Sequence, residues 1–317
     1  MSEPITPRSQ RQATKANRYK FFLGIDIGTT RTNVSYIRII EKSRKVAQWS
    51  DVIDVGQWNP GTASVFKGPG RQVPTESLYT IRERQISHGW EATKIPITSS
   101  GDDDAVHICR AKPLSGYPED GHWPQHLQDA LKRLTKAKLI EKEEEVDIFE
   151  VNFMRWVLTR VKETLLRVGY TEDSDVEIYV CCPVAWVQKD RRRFKRNMAR
   201  AAREVEMGDY FLTKQGVAFT RNGETKYDIK ECDSLNRVRV LTEAEAAAIF
   251  LIATTEAQDL GILPGTTIIT GDIGGGTVDF SCFQLSDDSK PRLRRQLCPP
   301  SGMNTMHHVC SQKRREH

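Results

Sequence analysis

The chain has 317 residues, 38% hydrophobic and 28% charged, with 47 Lys and Arg against 42 Asp and Glu. That length holds about two domains with a sizeable core, and so small a positive surplus does not announce a nucleic-acid partner. No run approaches a membrane span and no apolar signal core stands at the N-terminus, so a cytoplasmic protein with no membrane partner is expected.

Residues 1–18 are Ser, Thr, Pro, Arg and Gln with almost no apolar residue and read as a disordered basic arm. Lys20 to Ile39, KFFLGIDIGTTRTNVSYIRI, follows as an apolar strand, a small-residue turn (Gly28, Thr29, Thr30) and an alternating strand. From about 49 to 115, short strand runs alternate with Gly and Pro, which reads as a β-rich insertion with long loops.

Helices begin near Pro124. Asp147 can cap one that runs to Val168, with Phe149, Phe153, Trp156, Val157, Val161 and Leu165 on one side. Val176 to Cys181 reads as a buried strand leading to Pro183. The next helix, Gln188 to about Val205, turns Phe194, Met198, Ala201, Ala202 and Val205 inward and a dense row of arginines outward. With no interleaved aromatic and no second basic element, that row reads as a solvated face.

Gly208 to Asn236 is a polar excursion. Arg237 to Leu241 is a returning strand, and Thr242 can cap a helix whose first residue is Glu243. Thr266 to Leu285, TTIITGDIGGGTVDFSCFQL, then repeats the first hairpin's pattern: β-branched run, Asp272-Ile273-Gly274, glycine turn, alternating run. Three glycines let backbone N–H groups converge on an anion, and a Gly turn beside solvated Asp residues is the plainer reading of that loop alone. Two Asp-Ile-Gly hairpins together point to two half-domains facing a cleft, with Asp26 and Asp272 on its metal side.

Seven cysteines show no disulfide framework; Cys181 and Cys182 read as small hydrophobes, suited to a reducing compartment. His307, His308 and Cys310 lack a partner pair at zinc spacing and read as tail.

Taken in order, GIDIGTT (Gly24 to Thr30), VPTESLYTIRERQISHGWEA (Val73 to Ala92), CPVAWVQKDRRRF (Cys182 to Phe194), LTEAEAAAIF (Leu241 to Phe250) and GDIGGGTVDF (Gly271 to Phe280) resemble the motifs of the seventy-kilodalton heat-shock chaperone nucleotide-binding domain, in the actin-like ATPase superfamily. The resemblance implies an α/β fold: an actin-like ATPase, ribonuclease H-like domain with a β-rich insertion and an incomplete second lobe. A first lobe would span 19–260, the first hairpin of the second lobe 261–290, and an irregular tail 291–317.

It also implies ATP or ADP with Mg²⁺ as cofactors, and client proteins as partners of an intact relative. Gly28, Thr29, Thr30, Gly274, Gly275, Gly276 and Thr277 would cradle phosphates, and Asp26 and Asp272 would orient hydrated Mg²⁺. Glu243 and Asp279 would position the attacking water, Lys112 would approach the outer phosphate, and Arg191 would pair with Pro183 to relay nucleotide state. Lys112 on its own residues reads as a surface lysine. The family's adenine motif is absent, so weak binding, slow turnover and an exposed hairpin carrying Ile268, Phe280 and Phe283 are expected. Two other classes stay open. Carbohydrate-type kinases use GIDIGTT equally well but usually lack a GGGTVD-type loop, and a non-catalytic interaction protein fits the missing adenine motif.

Overall fold

The structure is a computed structural model. It describes residues 18–41, 43, 47–56, 58, 72–94, 104–109, 125–140, 147–208, 220–221, 224–225, 234–253, 261–273, 277–288, 292–298 and 301–304. The arm at 1–17, Lys112, Gly274 to Gly276 and the His307–Cys310 group lie outside the described residues, as does most of the expected 208–236 excursion.

The chain is a mixed α/β protein built around a six-stranded sheet. Strands β1 (Tyr19–Ile27) and β2 (Arg31–Ile40) form an antiparallel hairpin. On the other side of β1, strand β8 (Asp175–Cys182) pairs parallel, and β11 (Val238–Thr242) pairs parallel to β8. From Phe21 in β1 and throughout β8, burial alternates residue by residue. Phe21, Leu23, Ile25, Val176, Ile178, Val180 and Val238 are buried on one face, because period-two side chains of neighbouring strands stack in rows.

Two helices cover that face. α3 (Asp147–Leu166) buries Phe153, Met154, Val157, Leu158, Val161 and Leu165, and α4 (Gln188–Glu204) buries Phe194, Met198, Ala199, Ala201 and Ala202. Asp147 begins α3 as expected, but its carboxylate accepts from Arg193 Nε (2.5 Å) and Asn197 Nδ2 (3.0 Å) of α4. The basic face of α4 is partly tethered rather than uniformly solvated. Arg193 pairs with Asp147, Arg200 with Glu204 at 3.0 Å, and Arg191 binds backbone. Beside that face stands Arg239 of β11. Burial first, and then the Arg239 charge, hold the Lys195 ammonium below its usual range.

The expected insertion divides in two. Its strands β3 (Ile53–Asp54) and β4 (Gln72–Pro74) pair with β2 and belong to the main sheet. Only β5 (Glu76–Thr80), β6 (Gln85–His88) and β7 (Ala105–Cys109) form a sheet of their own, with β5 central. That sheet packs on α2 (Gln125–Lys136) through Val106, Ile108, Leu127, Leu131 and Leu134.

The second hairpin, β12 (Thr267–Ile273) and β13 (Thr277–Leu285), packs on α5 (Glu243–Ala253). Ile268, Phe283 and Leu285 share a core with Ala244, Ala248 and Val184, so Ile268 and Phe283 are buried, contrary to expectation, while Phe280 is half exposed. The expected irregular tail contributes two strands, β14 (Leu293–Gln296) and β15 (Ser301–Asn304), both antiparallel to β13. The free backbone groups on the far side of β13 supply the reason, since a ladder satisfies donors and acceptors that water would otherwise hold.

Candidate nucleotide site at the carboxyl ends of the parallel strands

Strands β1, β8 and β11 run parallel, so their carboxyl ends meet at one edge, the place where open α/β sheets hold ligands. Cross-strand register aligns Asp26 with Cys181 and Cys181 with Leu241. With about 4.8 Å between strands, the Asp26 and Leu241 backbones stand about 10 Å apart. Glu243 follows two residues after Leu241 as the first residue of α5. The edge therefore collects Asp26, Glu243 and the turn at Gly28.

Local chemistry fixes each part. Thr242 and Glu245 form a capping box: Glu245 N donates to Thr242 Oγ1 (3.0 Å), and Thr242 N donates to Glu245 Oε2 (2.7 Å). That locks the start of α5, whose positive dipole end favours an anion. Gly28 N donates to Arg31 O at 2.9 Å and closes the first turn. Thr75 N donates to Thr30 O (3.0 Å), and the Thr75 and Thr32 hydroxyls lie 2.9 Å apart in a buried pair. Thr75 belongs to the Val73–Ala92 motif, so that stretch braces the turn. No described residue takes up the hydroxyls of Thr29 and Thr30, which leaves them able to meet a phosphate.

A Cβ on Gly28 would lie 2.5 Å from Arg31 O. A backbone carbonyl cannot step aside as a side chain can. Gly28→Ala is expected to open the turn and cost about 2 kcal/mol, read as a lower urea midpoint; an unchanged midpoint would show the turn to be soft.

The two hairpins share one register. Asp26 pairs with Asn33 in the first and Asp272 with Asp279 in the second, seven positions on in each case. Asn33 is a residue that sequence reading missed, and the equal Asp-to-partner spacing is the signal that finds it. Its Oδ1 is buried with no hydrogen-bond partner among the described residues. An orphaned acceptor beside an exposed carboxylate suits the water shell of a hard cation such as Mg²⁺, which keeps several waters and takes few protein ligands. No cluster of three His, Cys, Asp or Glu side chains stands together among the described residues.

Asp26 is exposed, and Asp272 and Glu243 are half-buried. Asp26 and Glu243 come to one edge of the main sheet; Asp272 stands on the separate β12–β13 sheet that packs on α5. Of Thr277 and Asp279 the backbone is described, in β13. Arg191 donates from Nε to Trp186 O (2.9 Å) and from Nη2 to Val184 O (3.1 Å), pinning the turn that begins at Pro183. Val184 belongs to the core beneath the second hairpin.

A cavity of about 580 Å³ lies elsewhere, between β6, α3 and the end of α4; Ile86 and His88 of the Val73–Ala92 stretch line it, and none of the residues expected to meet phosphate, cation or water does. Its basic groups are already engaged. Arg155 pairs with Glu204 at 3.2 Å, Arg160 with Glu163 at 3.1 Å, and Lys162 donates to Val205 O at 2.8 Å. The motif edge, with its unclaimed hydroxyls, is the stronger candidate.

The chain matches no protein-family model and no curated protein. It is similar to the solved structure of MreB5 of Spiroplasma citri bound to ADP, at 13% identity and a TM-score of 0.44, covering 90% of this chain and 52% of that one. The chain thus spans about half the length of that structure.

No helix among the described residues is long and apolar enough to cross a membrane.

Proposed function

We propose that this chain is a nucleotide-binding unit of the actin-like ATPase class that takes Mg²⁺–ATP at the carboxyl ends of β1, β8 and β11. The observation that carries the reading is the duplicated hairpin register, Asp26 opposite Asn33 and Asp272 opposite Asp279. Two equivalent carboxylates leaving two equivalent strands are what a phosphate–cation clamp needs.

In this reading Thr29, Thr30 and the 274–277 loop donate to phosphate oxygens. Asp26 and Asp272 would hold the water shell of a bound Mg²⁺, which would supply positive charge beside the phosphates. Glu243, with Asp279, orients the attacking water. The capping box keeps α5 from fraying, so Glu243 is presented from a rigid helix end. The finer assignment, to the heat-shock 70 kDa family with hydrolysis coupled to client proteins, rests on the ordered motifs. The Arg191 contacts to the Val184 turn support it, because they tie that turn to the core under β12 and β13.

Isothermal titration with ATP tests the proposal. Binding is expected with Mg²⁺ and at least about tenfold weaker in EDTA, and Asp26→Ala should remove most of that Mg²⁺ dependence. No heat with Mg²⁺–ATP, or an Asp26→Ala protein that binds as wild type does, would overturn it.

A further inference from the structure

We propose that the cavity of about 580 Å³ between β6, α3 and the end of α4 binds a neutral, planar nitrogen heterocycle of the nucleobase class, with Asn152 as the residue that recognises it. The cavity stands apart from the motif edge and owes nothing to the nucleotide reading. Its volume falls within the range of about 300–1,000 Å³ usual for small-molecule sites.

Helical period builds one wall. Asn152, Trp156, Thr159 and Glu163 of α3 recur every three or four residues and share one stripe of the helix. Ile86 and His88, two apart in β6, line the other side. The Trp156 and His88 rings lie 5.7 Å apart at 38°. They give the cavity an aromatic wall, against which a flat ring sheds its water.

The charges around the cavity disfavour an ion as occupant. Arg155 is committed to Glu204, Arg160 to Glu163, and Lys162 to the carbonyls of Val205 and Glu206, so an anionic ligand would have to break one of these pairings and a neutral one would not. His88 adds no charge at pH 7, because burial, with the Arg155 charge adding to it, holds the imidazole down to about 4.

Asn152 is the group left over. It is 7% exposed, and its one hydrogen bond among the described residues runs from Nδ2 to Tyr79 Oη at 3.5 Å, a long contact. That leaves Oδ1 and the second Nδ2 hydrogen, an acceptor and a donor side by side on a buried amide, where unused capacity is rare. An exocyclic amine next to a ring nitrogen is their complement, and it is the edge that asparagine reads on adenine. An aliphatic or benzenoid occupant would leave both groups unmet.

Adenine is the probe, in equilibrium dialysis with the full chain at pH 7.5 in EDTA. Without a cation the clamp of the proposed function is disabled, so failure here and failure there are read separately. Adenine is expected to bind saturably, and purine, which lacks the 6-amino group, at least about tenfold more weakly. Asn152→Leu should bind the two alike, at the purine level. Thr159→Trp, a change at an exposed position of α3 that fills the cavity, should abolish adenine binding and serves if Asn152→Leu does not fold. No saturable adenine binding, or purine binding as tightly as adenine, overturns the proposal. So does undiminished adenine binding in whichever of the two variants folds.

Discussion

Gly89→Ala is expected to destabilise the protein by about 3 to 4 kcal/mol, read as a lower urea midpoint at unchanged slope. Gly89 joins β6 to α1 (Trp90–Lys94) at φ +60°, a conformation that costs an L side chain about 1–2 kcal/mol. A Cβ there would also lie 2.5 Å from Val73 Cγ2 and 2.6 Å from Trp156 Cη2. Moving Trp156 would disturb Trp58, which stacks on it at 6.1 Å, and Phe153 and His88, which flank it. Overpacking of this kind costs about 1–3 kcal/mol more. Gly261→Ala separates the two contributions: Gly261 has a similar φ of +68° with nothing within 4 Å of the added methyl. It should lose only the backbone part, and equal losses at both sites would show that Trp156 yields freely.

Acid should unfold the protein early, and His88 should account for about 3 kcal/mol of the loss between pH 7.5 and 4. His88 is 5% exposed, its Nδ1 lies 2.7 Å from Ser77 Oγ, and burial, with the Arg155 charge adding to it, pushes the imidazole down to about 4. An unfolded chain takes up that proton near the ordinary histidine value of about 6.5, whereas the folded chain refuses it until about 4. Stability from neutral His88 is therefore complete above pH 6.5 and is lost as pH falls through 6.5 towards 4. His107 has the opposite sign. Raised to about 9, it stabilises fully below 6.5 and loses its contribution as pH rises through 9. The measurement is urea unfolding at pH 7.5 and 4 for wild type and His88→Gln. The variant should lose about 3 kcal/mol less over that interval, and parallel losses would show His88 to be protonated in the native state.

The features legible in the sequence are those whose cause lies within a turn or two of chain. Both hairpins follow from alternation around Asp-Ile-Gly, and their common register was implicit in the spacing of Asp26 to Asn33 and Asp272 to Asp279. The inner face of α4, from Phe194 to Ala202, follows from helical period, and the cap of α5 from Thr242 with Glu245 three residues on. Pairing across long separations was not legible. Nothing near Thr75 says that its hydroxyl meets Thr32, 43 residues away. Nothing near Leu293 or Ser301 says that both short strands would complete the ladder of β13. β3 and β4 joined the main sheet, away from the insertion around them, because β2 offered a free edge. A strand's residues determine which side faces a core, but which edge it joins depends on whose backbone groups are left unpaired once the rest of the chain has packed. By itself, then, the sequence determined the repeated phosphate-type turns, the carboxylates beside them and the helix that presents Glu243. Tertiary structure alone decided that Asp26 and Glu243 share a sheet edge braced by Thr75, because that depends on register between strands distant in the chain.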